Sequence, residues 1–390
     1  MDQIDEFLTR GVANIIPSRQ ALEAQLRKGK KLNVYLGIDP TSTQIHLGHA
    51  VPLRKLQILS RLGHNVNFLI GDFTALIGDT SDKDSERPIL TKEQIKNNFK
   101  TYKKQAQKFL DFSKVKVQHN SDWLKKLKFE DIIKLSRNFT LNDFISRELI
   151  KKRLSEGRSV SLPEVLYPVM QGYDSYFLKT DLQIGGTDQT FNMQAGRALI
   201  KNLEGKESFV LSTQFLTGTD GRKMSKSWGN AIWITSNPNQ IYGQVMSLKD
   251  TLILQYFTLA TSIPLSQIDS ARSRLTEGEN PINLKKELAF QIVSELFNST
   301  QAATSQKYFE VSIQKGEIPK KIPTINVSST DLVEAMLEAG LGESKSSIRR
   351  VLLQGGIEIN QNKVVGPNKS ILDGDIIRVG KTKFARFHLN

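Results

Sequence analysis

The chain of 390 residues carries 54 Lys and Arg against 40 Asp and Glu, a net charge of +14, and has no cysteine. A disulfide framework, a zinc–thiolate site and a cysteine nucleophile are excluded, and a hydrophobic share of 38% is enough for real cores and argues against wholesale disorder. The length suits two or three domains, while the acid-bearing start MDQIDEFLTRG and the lack of any apolar run of 18 residues point away from secretion and membrane insertion and toward a cytoplasmic protein.

Residues 34–38 read as a short strand that stops at Asp39-Pro40. Val51, Leu53, Leu56, Leu59 and Leu62 then recur at helical spacing up to Gly63. Residues 66–70 form a second strand candidate, ended by Gly71. Thr91, with Gln94 three residues on, opens a capping box for an amphipathic helix that runs to Leu110. Residues 115–117 make a third strand. This alternation argues for a parallel sheet with crossover helices. Residues 121–180 read as a helical insertion rich in Lys and Arg. The rhythm resumes with strands at 182–184 and 209–211 around a helix from about Gln189, and a Gly- and Lys-rich loop covers 218–229. Residues 241–315 look all-helical, and 316–329 form a polar, Pro-containing linker. The last segment, 330–390, carries two short helices and strands at 357–360 and 376–379. The expected fold is α/β: a Rossmann-like parallel-sheet domain over residues 1–240, an all-helical domain, and a small α+β domain.

Two motifs carry chemistry. The first, Thr41-Ser-Thr-Gln-Ile-His46-Leu-Gly48-His49, sits where a strand turns into a helix, and it holds two of the five histidines. That edge of a parallel sheet is where ligands bind, and a helix start offers free N–H groups to a phosphate. The two imidazoles fall on one face of the first turn, and Gly48 leaves room for a ring or sugar to approach the backbone. Alone, the pattern is as compatible with a surface accident. The second motif, Lys223-Met224-Ser225-Lys226-Ser227, lies between Gly218, Gly221 and Gly229. Two ammonium groups on a Gly-hinged loop can reach a polyphosphate and stabilise charge as pyrophosphate leaves. Alone, it is a solvated basic loop.

Together and in this order, the two motifs resemble the HIGH and KMSKS signatures of class I aminoacyl-tRNA synthetases. Further stretches are similar to the tyrosyl-tRNA synthetase family: Tyr35-Leu-Gly37-Ile-Asp39-Pro-Thr41, Leu76-Ile-Gly-Asp79, Tyr167-Pro-Val-Met-Gln171-Gly-Tyr-Asp174 and Gln183-Ile-Gly-Gly-Thr-Asp188-Gln189. Ser347-Ile-Arg349-Arg350 and Gln354-Gly-Gly-Ile-Glu-Ile-Asn360 resemble the S4-like RNA-binding domain of bacterial members. The intact Lys-Met-Ser-Lys-Ser, with Pro52 early in the helix where Pro is tolerated, looks like one of two bacterial subgroups.

The resemblance implies tyrosine, ATP with its accompanying Mg2+, and tRNA(Tyr) as reactants, with no dedicated metal site. It assigns Tyr35 and Asp174 to the tyrosine hydroxyl, and Asp79, Tyr167 and Gln171 to the ammonium, with Gln189 beside them. A phenol both donates and accepts, so it needs a partner of each kind. Tyr167, Gln171 and Asp174 share one helical face. Asp188 would bond the ATP ribose, with Gly37, Asp39, Gly48, Gln189, Met224 and Ser227 around the nucleotide. His46, His49, Lys223 and Lys226 would hold the phosphates, with Thr41 on the γ-phosphate side. The tRNA would meet Arg147, Lys151, Lys152 and Arg153 in the insertion and Arg349 and Arg350 in the tail. A homodimer through the insertion is implied as well. Residues 92–153 hold 17 Lys and Arg against 7 Asp and Glu, so most of the surplus charge lies where the family docks the acceptor end of tRNA. A tryptophanyl enzyme and a non-catalytic, synthetase-derived RNA-binding or splicing protein are the competing readings.

Overall fold

The structure, a computed structural model, describes residues 2–41, 43–79, 90–314, 322–342, 344–364, 366, 369–380 and 383–389. It falls into two compact units, one made of Met1–Ser236 with Leu248–Leu284, the other of Asn237–Ser247 with Lys285–Asn390.

In chain order the first unit contains α1 (Gln3–Thr9), β1 (Val12–Ile16), α2 (Arg19–Arg27), β2 (Asn33–Ile38), α3 (Leu47–Arg61), β3 (Asn65–Ile70), α4 (Lys92–Ala106) and β4 (Val115–His119). Between β4 and β5 (Leu182–Gly186) lie five helices: α5 (Ser121–Leu124), α6 (Phe129–Ser136), α7 (Leu141–Ile145), α8 (Glu148–Ser155) and α9 (Leu162–Phe177). These are the expected helical insertion. Then follow α10 (Thr190–Glu204) and β6 (Phe209–Thr213). Of the later helices α11 (Pro238–Met246), α12 (Ile253–Ala260) and α13 (Leu265–Thr276), the last two belong to this unit.

The sheet order is β1-β6-β5-β2-β3-β4, with β2 to β6 mutually parallel and β1 an antiparallel edge. Parallel strands covered on both faces read as continuous apolar runs; β6 (Phe-Val-Leu-Ser-Thr) is buried along its whole length. From β2 the chain moves outward through β3 and β4, then returns to place β5 and β6 on the other side of β2. The order therefore reverses between β2 and β5, and their carboxyl ends border a crevice.

Three details were not anticipated. The first 30 residues supply the edge strand β1. Arg10 then ties this N-terminal segment to α12, donating to the carbonyls of Thr258 (2.8 Å), Thr261 (2.7 Å) and Ile263 (2.7 Å). Finally, Pro52 lies inside α3 beyond its first turn, where it withdraws the N–H that would have reached the Gly48 carbonyl. The capping box at Thr91 is as expected: Gln94 N–H donates to Thr91 Oγ1 (3.2 Å) and Thr91 N–H to Gln94 Oε1 (2.8 Å).

The second unit contains α11, most of α14 (Pro281–Leu296), α15 (Ser299–Phe309), and a separate sheet of β7 (Thr324–Val327), β8 (Ile357–Ile359), β9 (Asn362–Lys363), β10 (Ile376–Val379) and β11 (Lys383–Leu389). Its order is β7-β11-β10-β8-β9. Two helices, α16 (Leu332–Glu338) and α17 (Lys345–Leu353), share a core with it through Leu332, Met336, Ile348, Leu352, Ile377 and Phe387. Part of the expected linker, 316–321, lies outside the described residues. The rest of it is not all linker, because residues 324–327 pair in parallel with β11 as strand β7.

Helices α9 and α10 pack at two glycines. A methyl on Gly172 would sit 2.9 Å from Leu199 Cδ1 and 3.3 Å from the Ala195 backbone; one on Gly196 would collide with Ser175 Oγ. Gly196→Ala is therefore expected to lower the unfolding free energy by about 1–3 kcal/mol, measured by urea denaturation. An unchanged midpoint would mean that the helices can part without cost.

Candidate active site

The crevice at the carboxyl ends of β2 and β5 opens into a cleft of about 590 Å³. Tyr35, Gly37, Asp39, Thr41, His46, Gly48, His49, Asp79, Tyr167, Gln171, Asp174, Asp188, Gln189, Lys223, Met224 and Lys226 all line it. The residues assigned to tyrosine and ATP thus meet in one place, although they come from segments scattered over the unit. Of Ser227 only the backbone is described.

His46 is the N-cap of α3, in extended conformation, and its own N–H donates to His49 Nδ1 (3.3 Å). The two rings stack with centroids 3.8 Å apart. His46 is buried, and among the described residues its Nδ1 has no hydrogen-bond partner. Burial, helped by His49 and Lys223, pushes its pKa down to about 2, so the ring is neutral. Gly48 lets the ring lie close, because a Cβ there would sit 3.0 Å from the His46 ring and crowd it. The loop before the histidines is held by one polar face of α4. Asn98 Nδ2 donates to the Pro40 carbonyl (2.8 Å), Thr101 Oγ1 to the Thr43 carbonyl (2.6 Å), and Gln105 Nε2 also to Thr43 (2.7 Å), while Gln105 Oε1 accepts from Ile45 N–H (2.7 Å). Lys96, Lys100, Lys103, Lys104 and Lys108 of the same region are exposed.

The floor of the cleft is polar and buried. Asp174 is 2% exposed and accepts from Trp123 Nε1 (2.7 Å) and Asn120 Nδ2 (3.1 Å). Burial raises its pKa to about 8, against the pull of these two donors. Tyr35, equally buried, shares a hydrogen bond with Ser175 Oγ (2.8 Å) and donates to Gln183 Oε1 (3.2 Å). Gln183 is anchored in turn by donating to the Met193 carbonyl (2.9 Å). Nearer the mouth, Tyr167 donates its hydroxyl to Asp39 Oδ2 (2.9 Å), and Thr74 donates to Asp39 Oδ1 (2.8 Å). Asp79 accepts from Gln189 Nε2 (2.6 Å).

Opposite the histidines, Lys223 lies 3.4 Å from Asp188 and 4.1 Å above the Phe215 ring. Lys226 opens a single 3-10 turn that ends at Gly229 in a left-handed conformation (φ 67°). The loop's base is fixed by Met224 N–H donating to the Leu216 carbonyl (2.9 Å).

Sequence reasoning overlooked Asn120, Trp123, Ser175, Thr74, Gln105 and Asn230, and it quoted Gln183 without a role. Two of these had a readable signal. Gln183 is a polar residue inside an apolar strand, and Asn120 directly follows β4 at the ligand-binding edge of the sheet. The cations expected to meet RNA divide. Lys151, Lys152, Arg349 and Arg350 are exposed. Arg153 corrects the expectation: it is 2% exposed, in a two-point pair with Glu164 (2.7 and 3.2 Å) and bonded to the Ser159 carbonyl (2.6 Å). Its guanidinium is engaged inside the insertion, joining α8 to the start of α9. Arg147 is half-buried with its guanidinium 4.9 Å from the Phe191 ring, and burial lowers its pKa.

The sequence matches the model of the family described as tRNA synthetases class I (W and Y) over residues 27–310. It is 42% identical to the tyrosine–tRNA ligase of Dehalococcoides mccartyi strain CBDB1, covering 99% of this chain and 98% of that one. It is 39% identical to the tyrosine–tRNA ligase of Thermotoga maritima, over 98% and 96%. Its fold is similar to that of the Archaeoglobus fulgidus tyrosyl-tRNA synthetase complexed with L-tyrosine, with a TM-score of 0.62 and 23% identity over 78% of this chain and all of that one.

The buried, neutral His46 has a consequence for stability. Its folded pKa lies below the ordinary 6.5, so its contribution is complete above that pH and is lost as the pH falls below it. Compared with His46→Gln, the wild type is expected to lose up to about 1.4 kcal/mol per pH unit between 6.5 and 5, read from urea unfolding at each pH. Parallel pH profiles would overturn the neutral, buried assignment.

Proposed function

The chain belongs to the class I tRNA synthetases of the tryptophanyl and tyrosyl group, and we propose that it is a tyrosine–tRNA ligase whose cleft performs both steps of aminoacylation. A tyrosine carboxylate oxygen attacks the α-phosphorus of ATP; the new P–O bond forms as the bond to the β-phosphate breaks, giving tyrosyl-adenylate and pyrophosphate. The terminal hydroxyl of tRNA(Tyr) then attacks the tyrosyl carbonyl carbon and AMP leaves. The observation that carries this reading is the buried polar floor. Tyr35 and Asp174 supply a donor and an acceptor at the end of a cleft whose mouth holds two imidazoles and two lysines. An indole N–H can donate to Asp174 but offers Tyr35 no oxygen to bond, whereas a phenol hydroxyl can serve both.

In the reaction Asp174 and Tyr35 hold the substrate hydroxyl, while Asn120 and Trp123 keep the Asp174 carboxyl aimed. Asp79, Tyr167 and Gln171 receive the ammonium, and Gln189 holds Asp79 in place. Asp188 takes the ribose, which displaces Lys223 from its ion pair and frees that ammonium for the phosphates. His46, neutral at the start of α3, and His49 act as hydrogen-bonding groups, and the positive charge comes from Lys223 and Lys226. Rate enhancement is positioning plus electrostatic stabilisation of the leaving pyrophosphate. Mg2+ arrives with ATP to neutralise its phosphates.

The exposed lysines of α4 and α8 form the surface for the acceptor end of tRNA, and Arg349 and Arg350 grip RNA from the tail domain. The insertion also exposes Phe129 (77%), Leu162 (70%) and Leu141 (63%), an apolar surface that suits a homodimer. Among the described residues no helix is long and apolar enough to cross a membrane, and the setting proposed is the cytoplasm.

Amino-acid-dependent pyrophosphate exchange tests the assignment. Exchange with tyrosine is expected, and exchange with tryptophan alone would overturn it. His49→Ala should slow adenylate formation on the order of a hundredfold with tyrosine affinity unchanged, as measured by single-turnover kinetics and equilibrium dialysis. Asp174→Ala should abolish tyrosine binding or remove its preference over phenylalanine; unchanged selectivity would refute the hydroxyl role.

A further inference from the structure

We propose that Asn230 is the positioning residue of the Lys223–Lys226 loop, locking its backbone to the segment that carries His46 and so setting where both lysines meet the ATP phosphates. The inference rests on the functional reading above and adds to it a residue outside both signature motifs.

Asn230 is 2% exposed, and its side-chain amide is used from both ends. Oδ1 accepts from Ser225 N–H (2.8 Å). Nδ2 donates to the Lys223 carbonyl (3.0 Å) and to Asp220 Oδ1 (2.7 Å). The orientation of the amide is dictated by chemistry. Reversing it would set an NH2 against the Ser225 N–H and an oxygen against a carbonyl and a carboxylate. Three points of the loop, at 220, 223 and 225, therefore converge on one side chain. The backbone closes the same knot: Thr219 N–H donates to the Asn230 carbonyl (3.2 Å). Gly218 is needed beside it, because a Cβ there would lie 2.5 Å from the Asn230 amide.

The chain that leaves Asn230 runs directly to the histidines. Leu47 N–H donates to the Ile232 carbonyl (3.0 Å) and Ile234 N–H to the Ile45 carbonyl (3.1 Å), with His46 opposite Trp233. Between the amide that holds the lysine backbone and the strand pair that holds His46 there is a single residue, Ala231. On the outer side Arg222 pairs with Asp220 (2.5 Å) and lies 3.6 Å over the Trp228 ring, so the turn is closed from that side too. None of the Asn230 side-chain bonds reaches the floor of the cleft. Its loss should therefore affect the phosphate end and leave the tyrosine end intact.

The test is single-turnover adenylate formation on the full chain, together with tyrosine affinity and melting temperature. Asn230→Ala should slow adenylate formation roughly tenfold to a hundredfold with tyrosine affinity unchanged and the melting temperature lowered by only a few degrees, since the Ser225 N–H and the Lys223 carbonyl each lose a bond. Asn230→Asp places two carboxylates together and should do the same. Adding Asp220→Asn moves the amide donor to the other side of the contact and should recover part of the rate. A wild-type rate for Asn230→Ala would overturn the proposal. So would a rate loss matched by lost tyrosine affinity, or a double variant no faster than Asn230→Asp. Absence of tyrosine-dependent exchange in the wild type would instead overturn the functional reading beneath it.

Discussion

Two backbone hydrogen bonds, between Leu47 and Ile232 and between Ile234 and Ile45, join stretches of chain that lie far apart in sequence within the first unit. The placing of the two histidines and of the lysine loop in the cleft depends on them. His46 can cap α3 with its ring neutral and stacked on His49 because its backbone is held extended by this pairing. The lysine loop, leaving the other strand of the same pair, inherits that frame. A strand pair is suited to this role because register is fixed by alternation, so a slip by one residue would turn His46 away from the site. Helix α4 secures the segment before His46 with side chains, and these bonds, being to carbonyls and an N–H, hold that segment without dictating its sequence.

The tyrosine end is built on the opposite principle, from buried side chains that satisfy one another. Asp174 lies beneath the sheet edge with both oxygens bonded, and Tyr35 has its hydroxyl placed between Ser175 and Gln183. Such a network is stable only when complete, since an unpaired buried polar group costs about 1–3 kcal/mol. Gly196 belongs to this network by what it lacks, leaving the space into which Ser175 and Gln183 fit.

Much of this was readable in the sequence, and the exceptions are instructive. The βα rhythm of the first unit and the helical insertion follow from local periodicity. The cleft residues followed from two motifs whose order and chemistry belong together and from further stretches that resemble the tyrosyl-tRNA synthetase family. The edge strand β1 and the sharing of α12 with the sheet were not legible, because they are fixed by Arg10 reaching carbonyls on the far side of the chain. Arg153 was misjudged for a related reason: Lys151, Lys152 and Arg153 look alike in sequence, and only the position of Glu164 on the next helix decides which is buried. Strand β7 was hidden among prolines and polar residues because its partner, β11, is the last strand of the chain. Asn230 was passed over because an asparagine after a glycine reads as an ordinary turn.

The distribution of charge in the cleft explains why histidines and lysines occur together. A buried imidazole beside a second imidazole and an ammonium cannot afford a proton, and His46 is accordingly held neutral. It can hydrogen-bond phosphate oxygens but contributes no net charge. The cations are carried instead by a loop at the mouth, where Lys223 stays solvated in part and is balanced by Asp188. Placing charge on the loop rather than on the floor avoids burying an uncompensated cation in the empty site, which would cost several kcal/mol. In the proposed reaction the ribose takes Asp188 as the triphosphate enters. The ammonium can then turn from Asp188 to the phosphate oxygens, where its attraction is strongest for the charge that develops as pyrophosphate departs.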